Sequence, residues 1–110
     1  MDEIYEKTLL YDYYGDLLTE HQKEIYENVV FNDMSLSEAA EEYGISRQGV
    51  HDLIRRCNLS LEEYETKLHM VEQSRTIRKA AEEIVKAAET KSGDAKHIRE
   101  LAGSILNALQ

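Results

Sequence analysis

Catalysis or metal binding needs nucleophiles, proton carriers or ligands at spacings that bring them together, and few side chains of this 110-residue chain meet that need. His21, His51, His69 and His97 are scattered, and none stands four residues from another histidine or from Cys57, the single cysteine. No metal site is expected from that spacing, and a lone cysteine neither cross-links the chain nor builds a zinc centre. The pairs Glu41-Glu42, Glu62-Glu63 and Glu82-Glu83 resemble acid/base dyads on paper. Neighbours on a helix, however, point roughly 100° apart and do not share a proton. No phosphate-cradling glycine loop and no Ser, His and Asp constellation accompanies them. The chain is expected to be no enzyme, and to need no cofactor and no metal.

What remains is recognition chemistry. The segment SLSEAAEEYGISRQGVHDLIRR, residues 35–56, has the pattern of a helix-turn-helix. Ala40 is expected where two helices cross closely, Gly44 at a left-handed turn, Ile45 in the corner, and Val50 and Leu53 facing inward. The second helix would then present Ser46, Arg47, Gln48, His51, Arg55 and Arg56 outward. Arginine grips guanine and glutamine grips adenine in a major groove, so base reading is one use of this face. Solvation alone, or binding of another protein, is the other. Tyr11, Tyr13 and Tyr14 could stack on bases, but aromatics at helical spacing more often form a core with wet edges.

The charge distribution narrows the choice of partner. Net charge is −9, from 22 acidic and 13 basic residues. Residues 1–46 hold twelve acidic and two basic side chains, and residues 47–56 hold Arg47, Arg55 and Arg56 against Asp52. A nucleic-acid module draws its affinity from neutralised phosphates over a whole face. Here the positive footprint is a few side chains on an acidic body.

The elements that must position this face are helices. Proline is absent, glycine occurs five times, and 42% apolar with 32% charged residues suits one soluble domain with a modest core. Helix one is expected over about 2–17, with Ile4, Leu10, Tyr14 and Leu17 on its apolar side. Thr19 with Gln22, and Ser35 with Glu38, read as capping boxes that start helices two and three. Helix two ends near Asn32-Asp33, helix three at Gly44, and Ser46 can cap a fourth. From there Val50, Ile54, Cys57, Leu61, Tyr64, Leu68 and Val71 alternate spacings of four and three, and Ile77, Ala81 and Ile84 continue the rib after one slip. One continuous helix is favoured over a break at Asn58-Leu59-Ser60, running from Arg47 to about Glu89, or roughly 65 Å. Ser92-Gly93 would end it, and Asp94 can cap a last helix lined by Ile98, Leu101, Ile105, Leu106 and Leu109. Either that helix folds back on the rib, or another chain covers it. A homodimer is expected, with Ile54, Cys57, Leu61, Tyr64, Leu68, Val71, Ile77, Ala81 and Ile84 along its seam.

The run from Tyr11 to Leu68 carries a more specific likeness. Tyr11-Asp12-Tyr13-Tyr14, Leu17-Leu18-Thr19, Leu36 with Glu38, Ala40-Glu41-Glu42, and Ser46-Arg47-Gln48 before Val50 and Ile54-Arg55-Arg56 resemble the YlxM family of small bacterial proteins. That family in turn looks like region 4 of sigma factors. The likeness covers about residues 9–70, leaving the last forty outside it. Gly49 stands where such proteins often have alanine, and His51 where an aromatic is common. The resemblance implies a cytoplasmic helix-turn-helix protein encoded beside components of the signal recognition particle, whose GTPases and small RNA deliver nascent membrane proteins.

These readings combine into one expectation. The fold is all-α: a sigma region 4-like helix-turn-helix domain of three to four helices over residues 1–70, with a long helical extension over 71–110 for dimerisation or as a tail. The function is that of a non-catalytic regulatory or adaptor protein of the signal recognition particle pathway, or alternatively a sequence-specific transcription regulator. Ser46, Arg47, Gln48, His51, Arg55 and Arg56 would meet DNA, the particle's RNA, or acidic patches of its GTPase. No membrane insertion is expected, since no eighteen consecutive residues are apolar.

Overall fold

A computed structural model describes residues 3–89 and 94–109 of the chain, and every regular element among them is helical. Six α-helices follow in order: α1 Glu3–Tyr14, α2 Glu20–Tyr26, α3 Leu36–Tyr43, α4 Arg47–Leu68, α5 Met70–Glu89 and α6 Ala95–Ala108. They divide into two compact units, Met1–Leu68 and His69–Gln110.

In the first unit, short polar signals set the helix starts. Thr19 Oγ1 accepts from the Gln22 amide while the Gln22 side chain accepts from the Thr19 N–H, and Ser35 and Glu38 repeat this reciprocal arrangement at α3. Gly44 ends α3 in the left-handed region at φ 66°, where a β-carbon is strained. Helix one is shorter than its expected span. It closes at Tyr14 and tightens into a 3₁₀ turn over Gly15–Leu17, which leaves Leu17 exposed and buries Leu18 in its place; Ile4, in the first turn, is also exposed. After α2 the backbone widens into a π-helical segment, Glu27–Phe31, closed by the Asn32 N–H donating to the Glu27 carbonyl at 3.1 Å. That extra residue within the hydrogen-bonded ring accompanies the packing of Phe31 against the rings of Tyr11 and Tyr26, with centroids 5.4 and 5.8 Å away.

Helix α4 is the spine of this unit, packing against α1, α2 and α3. The core consists of Tyr14, Leu18, Ile25, Tyr26, Ala39, Val50, Leu53, Cys57 and Leu61. Two core tyrosines keep their hydroxyls satisfied: Tyr14 donates to Glu65 at 2.6 Å and Tyr26 to Asn58 at 2.6 Å. Tyr11 stacks on Tyr26 with ring centroids 5.5 Å apart, and Tyr13 stays exposed. The close contact expected at Ala40 falls one residue earlier. Ala39 is fully buried, whereas Ala40 is half-buried and its carbonyl accepts from Gly44 and Ile45 at the turn.

The long rib is interrupted. Helix α4 runs unbroken through Asn58-Leu59-Ser60, as expected, but stops at Leu68, because His69 adopts φ 56°. Histidine enters the left-handed region more readily than most side chains. Its carbonyl then accepts from the Gln73 N–H at 2.9 Å, and its Nδ1 lies 3.3 Å from a Glu72 carboxylate oxygen, so His69 also starts α5. A single helix from Arg47 to Glu89 is therefore not formed. The expected break at Ser92-Gly93 lies outside the described residues.

The second unit is a helical hairpin in which α6 folds back onto α5. Asp94 caps α6 through the Lys96 and His97 N–H groups, as its position suggested. Its buried residues are Val71, Ala80 and Leu101, with Ile77, Ile84, Ile98 and Ile105 half-buried. On α5, Ala80 is buried within the hairpin and the neighbouring Ala81 is exposed.

Candidate functional site

The face in question begins where α3 hands over to α4. Ser46 Oγ accepts from the Gly49 N–H at 2.9 Å, and the Ser46 carbonyl accepts from Val50 at 3.0 Å, so the chain enters a helix immediately after the turn. Val50 and Leu53 are buried, which fixes the rotation of α4 and turns its opposite side to solvent. On that side Arg47, His51 and Arg55 form one i, i+4 row, with Gln48, Asp52 and Arg56 in the row beside it. All six side chains are exposed, along roughly 14 Å of helix. The structure thus gathers Arg47, Gln48, His51, Arg55 and Arg56 on a single surface. Ser46 stands at its start, with its hydroxyl committed to the cap.

Asp52 shapes the chemistry of this surface and was not among the expected contact residues. Gln48 Nε2 donates to Asp52 Oδ1 at 3.0 Å, and His51 Nδ1 lies 3.7 Å from the same oxygen. Its position four residues after Gln48 is the sequence signal that locates it. Arg47, Arg55 and Arg56 form no ion pair with any described residue. One shallow hollow on this face is lined by Leu36, Arg47, Gln48 and His51, and a second by Asp52, Arg55 and Arg56. Three unpaired guanidiniums around one carboxylate make a surface suited to oxygen-rich anions, with two recesses to seat them.

The other expected site residues do not gather with this face. Cys57 and Leu61 are closed inside the first unit by its own helices, so they offer nothing to a second copy; this corrects the expected seam. Burial also pushes the Cys57 thiol above its ordinary range, with Arg56 opposing the shift. Ile54 and Tyr64 are half-buried in the same unit, and Leu68 is exposed at the end of α4. Val71 is buried, Ile77 and Ile84 are half-buried, and Ala81 is exposed on α5.

Among the described residues no group of three or more His, Cys, Asp or Glu side chains is placed to hold a metal ion. No described helix is long and apolar enough to cross a membrane.

With this geometry in place, comparison with known proteins decides the family. The family model UPF0122, described as "Putative helix-turn-helix protein, YlxM / p13 like", matches residues 1–101. The chain belongs to the UPF0122 family. That match takes in α5 and part of α6, well past the residues whose sequence alone carried the likeness. A UPF0122 protein of Caldanaerobacter subterraneus is 48% identical over 83 residues, covering 76% of this chain and 71% of the relative. One of Shouchella clausii is 42% identical over 87 residues, covering 79% and 80%. A UPF0122 protein of Desulforamulus reducens is 37% identical over 110 residues, covering 99% and 94%. The match to the Desulforamulus reducens protein therefore spans both units of this chain.

Proposed function

We propose that this UPF0122 protein is a non-catalytic regulatory or adaptor protein of the signal recognition particle pathway, cytoplasmic and homodimeric, whose α4 face binds the phosphates of the particle's RNA. The observation that carries this reading is the set of unpaired arginines, Arg47, Arg55 and Arg56, exposed together on the second helix of the helix-turn-helix. The pathway itself comes from the resemblance to YlxM proteins. Backbone recognition suits a face whose glutamine is already engaged, because the Gln48 amide donates to Asp52 instead of standing free for an adenine edge.

The decisive experiment is fluorescence anisotropy of purified signal recognition particle RNA, random RNA and random duplex DNA with the full chain. Removing Arg47, Arg55 and Arg56 together should abolish RNA binding. Equal affinity for all three nucleic acids, or retention of RNA binding by the triple variant, overturns the proposal.

A second reading, a transcription regulator that reads a promoter, is favoured by the position of Arg47, Gln48 and His51 in the first two turns of a helix that follows a helix-turn-helix corner. Nanomolar binding to one duplex, on the order of a thousandfold tighter than to random DNA at physiological salt, would establish it in place of the first.

A further inference from the structure

The hairpin of α5 and α6 uses only part of its apolar surface. Its packed positions include Ala80, Ile84 and Ala87 on α5 and Leu101, Ile105 and Ala108 on α6. One residue after each comes another apolar residue: Ala81, Val85, Ala88, Ala102, Leu106 and Leu109. Five of these six are exposed and Ala102 is half-buried; Val85 is 56% exposed and Leu106 and Leu109 are 63% exposed. A step of one residue turns a side chain roughly 100° about the helix axis in the same rotational sense on both helices. The hollow lined by Glu72, Gln73 and Thr76 together with Ser104, Asn107 and Ala108 sets the first turns of α5 beside the last turns of α6, so the helices are antiparallel. In an antiparallel pair, equal rotations of the same sense carry both stripes to the same side. The hairpin therefore has one apolar face built from both helices, edged by Arg78 and Arg99, which follow the half-buried Ile77 and Ile98 by the same one-residue step.

We propose that this face is where two copies of the chain meet, about a twofold axis parallel to the helices, with Glu82 of each copy against the partner's Arg99. The proposal deepens the self-association in the proposed function and rests on it. Charge argues for a second copy as the occupant. Thr76 is level with Ser104 across the hairpin, so Glu82, six residues further along α5, is level with Ile98, one residue before Arg99 near the start of α6. Glu82 and Arg99 are exposed beside the face, and neither forms an ion pair with any described residue of its own chain. A twofold axis along the helices lays α5 over the partner's α6 and keeps those levels, so the Glu82–Arg99 pair forms twice, once for each copy's glutamate. An axis perpendicular to the helices at that level would set Glu82 against Glu82 and Arg99 against Arg99, which is repulsive. Two hairpins joined in the first way form an antiparallel four-helix bundle, with Ala81 and Ala102 permitting close approach near its middle.

Sedimentation equilibrium of the full chain at about 1–100 µM is expected to show a dimer. Val85→Glu with Leu106→Glu should weaken association on the order of a hundredfold, because two charges per copy would be buried without partners. Arg99→Glu should weaken it about fivefold, and Glu82→Arg combined with Arg99→Glu should restore it. Circular dichroism of each variant checks that helix content is kept, and the charge swap, confined to exposed residues, stands if the apolar variant unfolds. A monomeric wild-type chain overturns self-association altogether. A dimer indifferent to the glutamate variant overturns the face alone, and a swap no tighter than Arg99→Glu overturns the axis and register.

Discussion

The Tyr14 hydroxyl donates a 2.6 Å hydrogen bond to Oε1 of Glu65, tying α1 to the second half of α4 across 51 residues of sequence. The Tyr14 ring is 1% exposed and lies 6.0 Å from the ring of Tyr64, so the bond sits at the edge of a packed aromatic contact. A hydrogen bond to a charged acceptor contributes more than a neutral one, roughly 1.5–3 kcal/mol. Glu65 is only half-buried, so water can replace the lost donor and the cost falls toward the lower end. Tyr14→Phe should lower the unfolding free energy by about 1–2 kcal/mol in urea titrations. A loss under about 0.3 kcal/mol would show that α1 is held by ring packing alone.

The Tyr26 hydroxyl, bonded to Asn58, is pushed up to about 12 by burial, with Cys57 and Glu62 adding to the rise. Tyr11 shifts in the same direction, first through burial and then through its bond to Glu27. The folded state thus holds both phenols protonated where the unfolded chain ionises near 10.0. With folded values above unfolded ones, their contribution is complete below about pH 10 and is lost as pH rises through the folded values. Urea midpoints should fall steeply between about pH 9 and about pH 12, and Tyr26→Phe should flatten that decline. The same variant should cost about 1 kcal/mol at neutral pH, where Asn58 loses its donor. An alkaline slope identical in wild type and variant would remove Tyr26 from the linkage.

Gly15 is buried at the start of the 3₁₀ turn, and a β-carbon there would stand 2.9 Å from Cε2 of the Tyr11 ring. That ring is stacked on Tyr26 and tilted against Phe31, so it cannot swing away without opening both contacts. Gly15→Ala should destabilise the chain by roughly 1–3 kcal/mol, as overpacking does. Thermal unfolding monitored at 222 nm checks this, and an unchanged or raised midpoint would mean that the turn has room to spread.

These couplings separate what was legible in the sequence from what was not. Signals that act over three or four residues were readable: Thr19 with Gln22, Ser35 with Glu38, Ser46, Asp94 and the left-handed Gly44 all do in the structure what their spacing implied. The rows of the α4 face were readable too, since Val50 and Leu53 set which side is buried. The break at His69 was hidden because neither Gly nor Pro marks it, and the apolar rib continues in sequence from Leu68 to Val71. The widened turn at Glu27–Phe31 depends on rings that arrive from α1, so no local pattern announces it. The one-residue displacement at Ala40 has a local cause. The adjacent alanines Ala39 and Ala40 are equivalent to a periodicity argument, and only the packed neighbours decide between them.

Asp52 offers a test of what kind of partner the α4 face receives. It stands among Arg55, Arg56 and His51, and it holds the amide of Gln48 at 3.0 Å. Toward a phosphate its carboxylate is repulsive, and it lowers the positive potential that the three arginines create. Replacing it by asparagine keeps the shape and removes the charge. If the face binds an RNA or DNA backbone, Asp52→Asn should tighten binding by about two- to fivefold at physiological salt, and this gain should shrink as salt is raised. Anisotropy titrations with the same labelled RNA at two ionic strengths measure both effects. Weaker binding by Asp52→Asn would mean instead that the carboxylate accepts from the ligand, as from a cytosine amino group or a basic side chain of a protein partner, and phosphate recognition by this face would have to be abandoned.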